Sequence, residues 1–139
     1  MYVRELTKRR YRGKKPVVIR GPADVVRLFP KLPNEQREHF IVVLLNARHE
    51  VDAVETVSIG SLNASIVHPR EVFRIALIGA AYAIVLMHNH PSGEVTPSNA
   101  DCALTKRIKE AGEILRVEVH DHVIVGHQRY FSFRESGLM

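Results

Sequence analysis

Two histidines one residue apart, His88 and His90, end the apolar run Ala83–Met87, and Asp101 follows eleven residues after His90. In an extended backbone, residues i and i+2 project to one side, so both imidazoles can reach one ion while Asn89 points the other way. Two imidazoles and one carboxylate make a three-ligand set that leaves a fourth tetrahedral position open for water. Zinc in such a site lowers the pKa of that water toward ~7 and makes it a nucleophile at neutral pH. The residues therefore predict one Zn2+ per chain in a catalytic site; four protein ligands would predict a structural one.

A His-x-His spacing alone is weak in a chain with eight histidines, and a second one exists, His120-Asp121-His122. The first pair runs into Pro91-Ser92-Gly93, a turn that swings the chain back over the strand end, and then into a helix whose third position is Asp101. The second pair runs into Val123–Phe133 with no carboxylate at a helix start, and it is read as strand-end histidines without a metal. Ser98 admits two roles. Ser98-x-x-Asp101 has the form of a capping box, and a hydroxyl one turn from a metal can also steady a developing oxyanion.

Hydrolysis also needs a group that takes the proton from water and passes it to the leaving group, and a carboxylate with a raised pKa suits that work. Glu38, just before the apolar run Phe40–Asn46, and Glu71, in His68-Pro69-Arg70-Glu71 at a helix start, are both candidates. A solvated strand-edge charge accounts equally for Glu38, and helix-dipole electrostatics for Glu71. The residues alone do not separate them.

Helices and strands must bring these groups together. Pro22–Leu32 reads as a short helix before Pro30 and Pro33 break the chain. Phe40–Asn46 and Ala83–Met87 read as strands buried on both faces. Val51–Ile59 and Leu62–Val67 are further strands across a Gly60-Ser61 turn. Arg70–Ala80 is a helix, as is Asn99–Ala111, the latter ended by Gly112. Ile114–Val119, Val123–Val125 and Tyr130–Phe133 close the chain as strands. This interleaving predicts a mixed α/β domain with a largely antiparallel sheet.

The 139 residues suit one domain. The net charge of +5 is concentrated in residues 1–20, where eight basic side chains face Glu5 alone. A basic arm (1–20) and a nearly neutral body (21–139) are therefore expected. Lys8, Arg9, Arg10, Arg12, Lys14 and Lys15 are candidate phosphate contacts for nucleic acid, with a solvated leader as the plainer account. No apolar run is long enough to span a bilayer, no signal peptide is seen, and the single Cys102 suits a reducing compartment. The expectation is a cytoplasmic protein without membrane contact.

The string His88-Asn89-His90-Pro91-Ser92-Gly93, with Pro97-Ser98 and Asp101, resembles the signature of the RadC-like branch of the JAMM (MPN+) metalloprotease family. Glu38 and Phe40, Gly60, His68–Glu71, Thr105, Asp121-His122, Tyr130, Ser132 and Phe133 fit the same branch, so the resemblance runs from about Pro22 to Met139. It implies a JAMM/MPN-type (cytidine-deaminase-like) α/β fold, a curved, mainly antiparallel sheet flanked by helices. It further implies zinc on His88, His90 and Asp101, Ser98 assisting the transition state, and Glu38 rather than Glu71 as acid/base. Glu71, Asp121 and His122 become candidate neighbours of the ligands. The implied activity is cleavage of peptide or isopeptide bonds in a peptide or protein substrate. Ser98 lies one residue closer to the histidine pair than in deubiquitinating members, and the helix-hairpin-helix module of longer RadC proteins is missing from these residues. The alternatives are a metal-dependent nuclease or DNA-repair accessory, suggested by the basic arm and the branch's name, and a non-catalytic interaction module.

Overall fold

Valine- and isoleucine-rich runs become strands that alternate their side chains between two apolar layers, and the ends of those strands carry the polar residues of interest. A computed structural model of the chain describes residues 15–60 and 67–139. In chain order the elements are α1 (Pro22–Arg27), a 3-10 turn (Leu32–Asn34), β1 (Glu38–Leu45), β2 (Val51–Gly60), α2 (Pro69–Ile78), β3 (Ala83–Asn89), α3 (Asn99–Leu115), β4 (Glu118–Gly126) and β5 (Arg129–Ser132). The expected strand Leu62–Val67 falls outside the described residues except for Val67, which is buried and not in a strand.

The five strands form one open sheet in the order β2-β1-β3-β4-β5. Neighbours are antiparallel except β3 and β4, which are parallel and joined through α3. The mixed α/β, mostly antiparallel sheet flanked by helices is the architecture the sequence predicts. On one face Phe40, Val42, Leu44, Ile84 and Leu86 pack with Val72, Phe73, Ile75 and Ala76 of α2 and Ile108 of α3. On the other, Ile41, Val43, Leu45, Val85 and Met87 pack with Ile19, Val25 and Leu32. Each of these valine, leucine, isoleucine, phenylalanine and methionine side chains, fully buried, contributes roughly 1.5–3 kcal/mol. Ile19 is only 2% exposed, and Val17–Ile19 hydrogen-bond to His49 and Val51, so the packed body includes the end of the basic arm.

Three elements depart from expectation by more than two residues. Helix α1 stops at Arg27 with Leu28 as its C-cap, because Pro30 disfavours helical backbone at Phe29. Gly112 does not end α3, which continues to Leu115 and closes on Arg116 in the left-handed region at φ 59°. Gly112 serves close approach instead: a Cβ there would sit 2.6 Å from the Val117 carbonyl oxygen and 2.9 Å from Val119 Cγ2. The segments Ile114–Val119 and Val123–Val125 are not separate strands either. Ile114 and Leu115 are helical, and Glu118–Gly126 is one nine-residue strand.

That strand carries a bulge. Ile84 pairs with Val119 but Val85 pairs with Asp121, so His120 opposes no residue of β3. An extra residue reverses the alternation of faces beyond it. His120 and His122 therefore lie on opposite faces, in the middle of β4 rather than at its end.

Candidate metal centre

The sheet register places the pieces. Phe40 of β1 pairs with His88 of β3, and Glu38, two residues earlier on the same face of β1, reaches the same strand end. His90 follows β3 directly, and its N–H donates to the Val125 carbonyl of β4. Asp101 is the third residue of α3. The Nε2 atoms of His88 and His90 are 3.1 Å apart; Asp101 Oδ2 lies 3.1 Å from His90 Nε2 and Asp101 Oδ1 3.4 Å from His88 Nε2. Glu38 Oε1 stands 3.7 and 3.9 Å from the two nitrogens.

Those separations test the fit of an ion. Ligand atoms about 2.0–2.1 Å from a tetrahedral zinc lie roughly 3.3 Å from one another. The 3.1 Å between the two imidazole nitrogens is close to that edge, and Asp101 turns Oδ1 to His88 at 3.4 Å and Oδ2 to His90 at 3.1 Å, whereas Glu38 lies farther from both imidazoles. The donor set suits a borderline-soft divalent ion such as zinc.

Each group is held from behind. The capping box forms: Ser98 Oγ accepts from the Asp101 N–H at 3.0 Å, and Asp101 Oδ2 accepts from the Ser98 N–H at 2.9 Å. The cap thus aims the carboxylate. It leaves the Ser98 hydroxyl proton unspent, because a hydroxyl accepts and donates at once; the two roles considered for Ser98 are compatible. His90 Nδ1 donates to the Glu94 carbonyl at 2.7 Å, which directs Nε2 into the site. The turn bearing that carbonyl is clamped by Arg129, whose Nη2 meets Glu94 Oε1 at 2.7 Å, and by the bare backbone of Gly126, where a Cβ would strike the Gly93 carbonyl. His88 Nδ1 meets His122 Nε2 at 2.7 Å, and His122 Nδ1 meets Thr105 Oγ1 at 2.6 Å.

Burial raises the Glu38 carboxyl above the ordinary glutamate range, against the opposing pull of His88 and His90. Burial would do the same to Asp101, but hydrogen bonds from His88 and His90 outweigh it and hold that carboxyl far below the usual carboxylate range. The Asp101 hydrogen bond raises His90. Desolvation, followed by the charge of His88, keeps His122 well below the ordinary histidine value.

Among the described residues, Glu38, His88, His90 and Asp101 form one of two groups whose donor atoms all lie within 4.8 Å of one another. Glu71 is in neither; it sits in the first turn of α2. Asp121 turns away to the C-terminal segment, accepting from Ser132 Oγ, the Arg134 N–H and the His122 N–H. Of the basic candidates, only Lys15 lies within the described residues, where it is exposed. Among the described residues no helix is long and apolar enough to cross a membrane.

Two contributors escape a reading of residue types. Asn89, fully buried, does point away from the ligands, and there its amide binds the segment leading into β1. Oδ1 accepts from the His39 N–H at 2.7 Å, while Nδ2 donates to the carbonyls of Arg37 and Glu35 at 2.9 and 3.3 Å. It thereby holds the backbone on both sides of Glu38. Its signal in the sequence is an amide inside a buried strand, which must find partners. The second is His122, which the resemblance and not the residue pattern put beside the ligands; its contact with His88 depends on the bulge, which has no local signal.

The family model described as RadC-like JAB domain matches residues 19–138. The chain is 49% identical to a UPF0758 protein of Desulforamulus reducens, over 88% of this chain and 55% of that protein. It is 52% identical to a UPF0758 protein of Rubrobacter xylanophilus over 88% and 54%, and 51% identical to one of Caldanaerobacter subterraneus over 86% and 52%. The chain spans about half the length of the curated relatives it matches.

Proposed function

Because the chain belongs to the RadC-like JAB domain family, which suggests a metal-dependent hydrolase, we propose that it is a zinc hydrolase of peptide or isopeptide bonds. The observation that carries this reading is the convergence of His88 Nε2, His90 Nε2 and the Asp101 carboxylate at tetrahedral-edge spacing, with Glu38 just beyond. Zinc held there supplies Lewis acidity and a water nucleophile at neutral pH.

The chain's own residues supply the rest. Glu38, deprotonated, accepts the nucleophile's proton on Oε1, and its burial-raised pKa lets it return that proton to the leaving amine. Asn89 holds the backbone around Glu38 and so limits its reach. Ser98, its oxygen engaged by the Asp101 N–H, keeps its O–H to donate to the developing oxyanion. A His/His/Asp site suits amide hydrolysis better than the oxygen-rich or two-metal sites of most metal-dependent nucleases.

A nuclease or DNA-associated role is the second reading, favoured by the basic charge of residues 1–20. The deciding experiment is elemental analysis of the purified chain, followed by a cleavage screen over peptide and isopeptide libraries and single-stranded DNA. Zinc near one equivalent with amide cleavage is expected. Cleavage of DNA alone overturns the reading.

A further inference from the structure

We propose that His122 and Thr105 are positioning residues that fix the proton on His88 and so present its Nε2 to the metal. This rests on the metal site assigned under the proposed function.

A metal on His88 Nε2 leaves the ring's only N–H at Nδ1, and His88 is 3% exposed, so that donor needs a partner within the protein. The partner is His122 Nε2 at 2.7 Å, which must then carry no proton. A neutral His122 holds its proton on Nδ1 and donates it to Thr105 Oγ1 at 2.6 Å. The Thr105 hydroxyl has one proton of its own, and it goes to the Asp101 backbone carbonyl at 2.8 Å, which can only accept. The series therefore runs in one direction, from the imidazole of one proposed ligand to the backbone of another, and no proton is left over or missing.

The surroundings hold this arrangement in place. His122 is fully buried and stacks on Phe133 at 4.7 Å with 7° between the rings, while Phe40 meets its edge at 5.6 Å and stacks on His88 at 5.8 Å. The bulge at His120 is what turns His122 toward His88. A buried imidazole with both nitrogens satisfied is accounted for by packing and proton direction together. Packing alone would be served as well by phenylalanine.

That contrast supplies the test. Zinc affinity of the full chain is measured by competition with a chromophoric chelator for the parent, His122→Phe, His122→Gln, Thr105→Val and Thr105→Ser. Phenylalanine keeps the stack and loses the acceptor; glutamine has an oxygen to accept from His88 and an amide to donate to Thr105. Expected are losses of about 10- to 100-fold for His122→Phe and Thr105→Val, the range for removal of a ligand's hydrogen-bond partner. His122→Gln and Thr105→Ser should recover most of the affinity. In the zinc-loaded parent, 15N spectra should show His122 protonated on Nδ1 and bare on Nε2. Unchanged affinity in His122→Phe, equal losses in each pair, or a proton on His122 Nε2 overturns the inference. If His122→Phe does not fold by circular dichroism, the Thr105 pair and the spectrum decide. A parent that holds no zinc overturns the metal reading itself; a zinc-binding parent with indifferent variants overturns only the positioning role.

Discussion

Among the described residues, two clusters of imidazole and carboxylate sit on this sheet, roughly four residues apart along β3 and β4, or about 13 Å. One is Glu38, His88, His90 and Asp101; the other is His49, Glu118 and His120, and in each the donor atoms lie within 4.8 Å of one another. Residue types alone would rate them alike. In the first, the far nitrogen of each imidazole has its own partner, Glu94 O for His90 and His122 for His88, so both Nε2 atoms face inward. In the second, Arg134 already supplies a cation: its Nη1 is 2.8 Å from His120 Nδ1 and 3.8 Å from Glu118 Oε1. Glu118 is also exposed, so its carboxylate stays solvated. A metal site thus requires side chains whose other hydrogen bonds are committed elsewhere, and a cluster that includes its own guanidinium does not meet that condition.

The largest effect should come from the ligands. His90→Ala is expected to weaken zinc by more than about 100-fold, beyond the cost of losing an outer partner, and His120→Ala to leave it unchanged. Equilibrium dialysis with elemental analysis measures both, and parallel losses would erase the distinction between the clusters. Next is the general base. Glu38→Gln should keep full zinc occupancy yet lower turnover per bound zinc by between about 100- and 10,000-fold, with Glu71→Gln close to the parent. A dead Glu71→Gln beside an active Glu38→Gln would exchange their roles.

Ser98→Ala is expected to cost about 1 kcal/mol of stability through the lost cap, seen in thermal denaturation. It should also lower turnover by about 100-fold through the lost donor. Stability lost with turnover intact would assign Ser98 to the cap alone. Arg134→Ala removes the competing cation, so a weak second zinc equivalent should appear in titrations with excess metal while the first is unaffected. Its absence would show that exposure, and not Arg134, keeps the second cluster from holding an ion.

The sequence determined whatever depends on local period and local chemistry. Alternation along Ala83–Asn89 put His88 and His90 on one side, and Ser98-x-x-Asp101 specified a cap that also aims a carboxylate. Buried runs of valine and isoleucine marked the central strands because a strand covered on both faces buries every side chain and β-branched residues suit it. Tertiary structure decided what depends on residues far apart in the chain. Glu38 is separated from Glu71 by the β1–β3 register, which sets Phe40 opposite His88. The polar stretch His120–His122 reads as a break between strands, yet β4 runs through it, because a single bulge buries His122 among Phe40, Phe133 and His88. Gly112 has the residue type of a helix end, but the return of Val117 needs its missing Cβ inside the helix. Period and cap chemistry act over a few neighbouring residues; register, bulges and close approach are set by pairing between segments, which no local window contains.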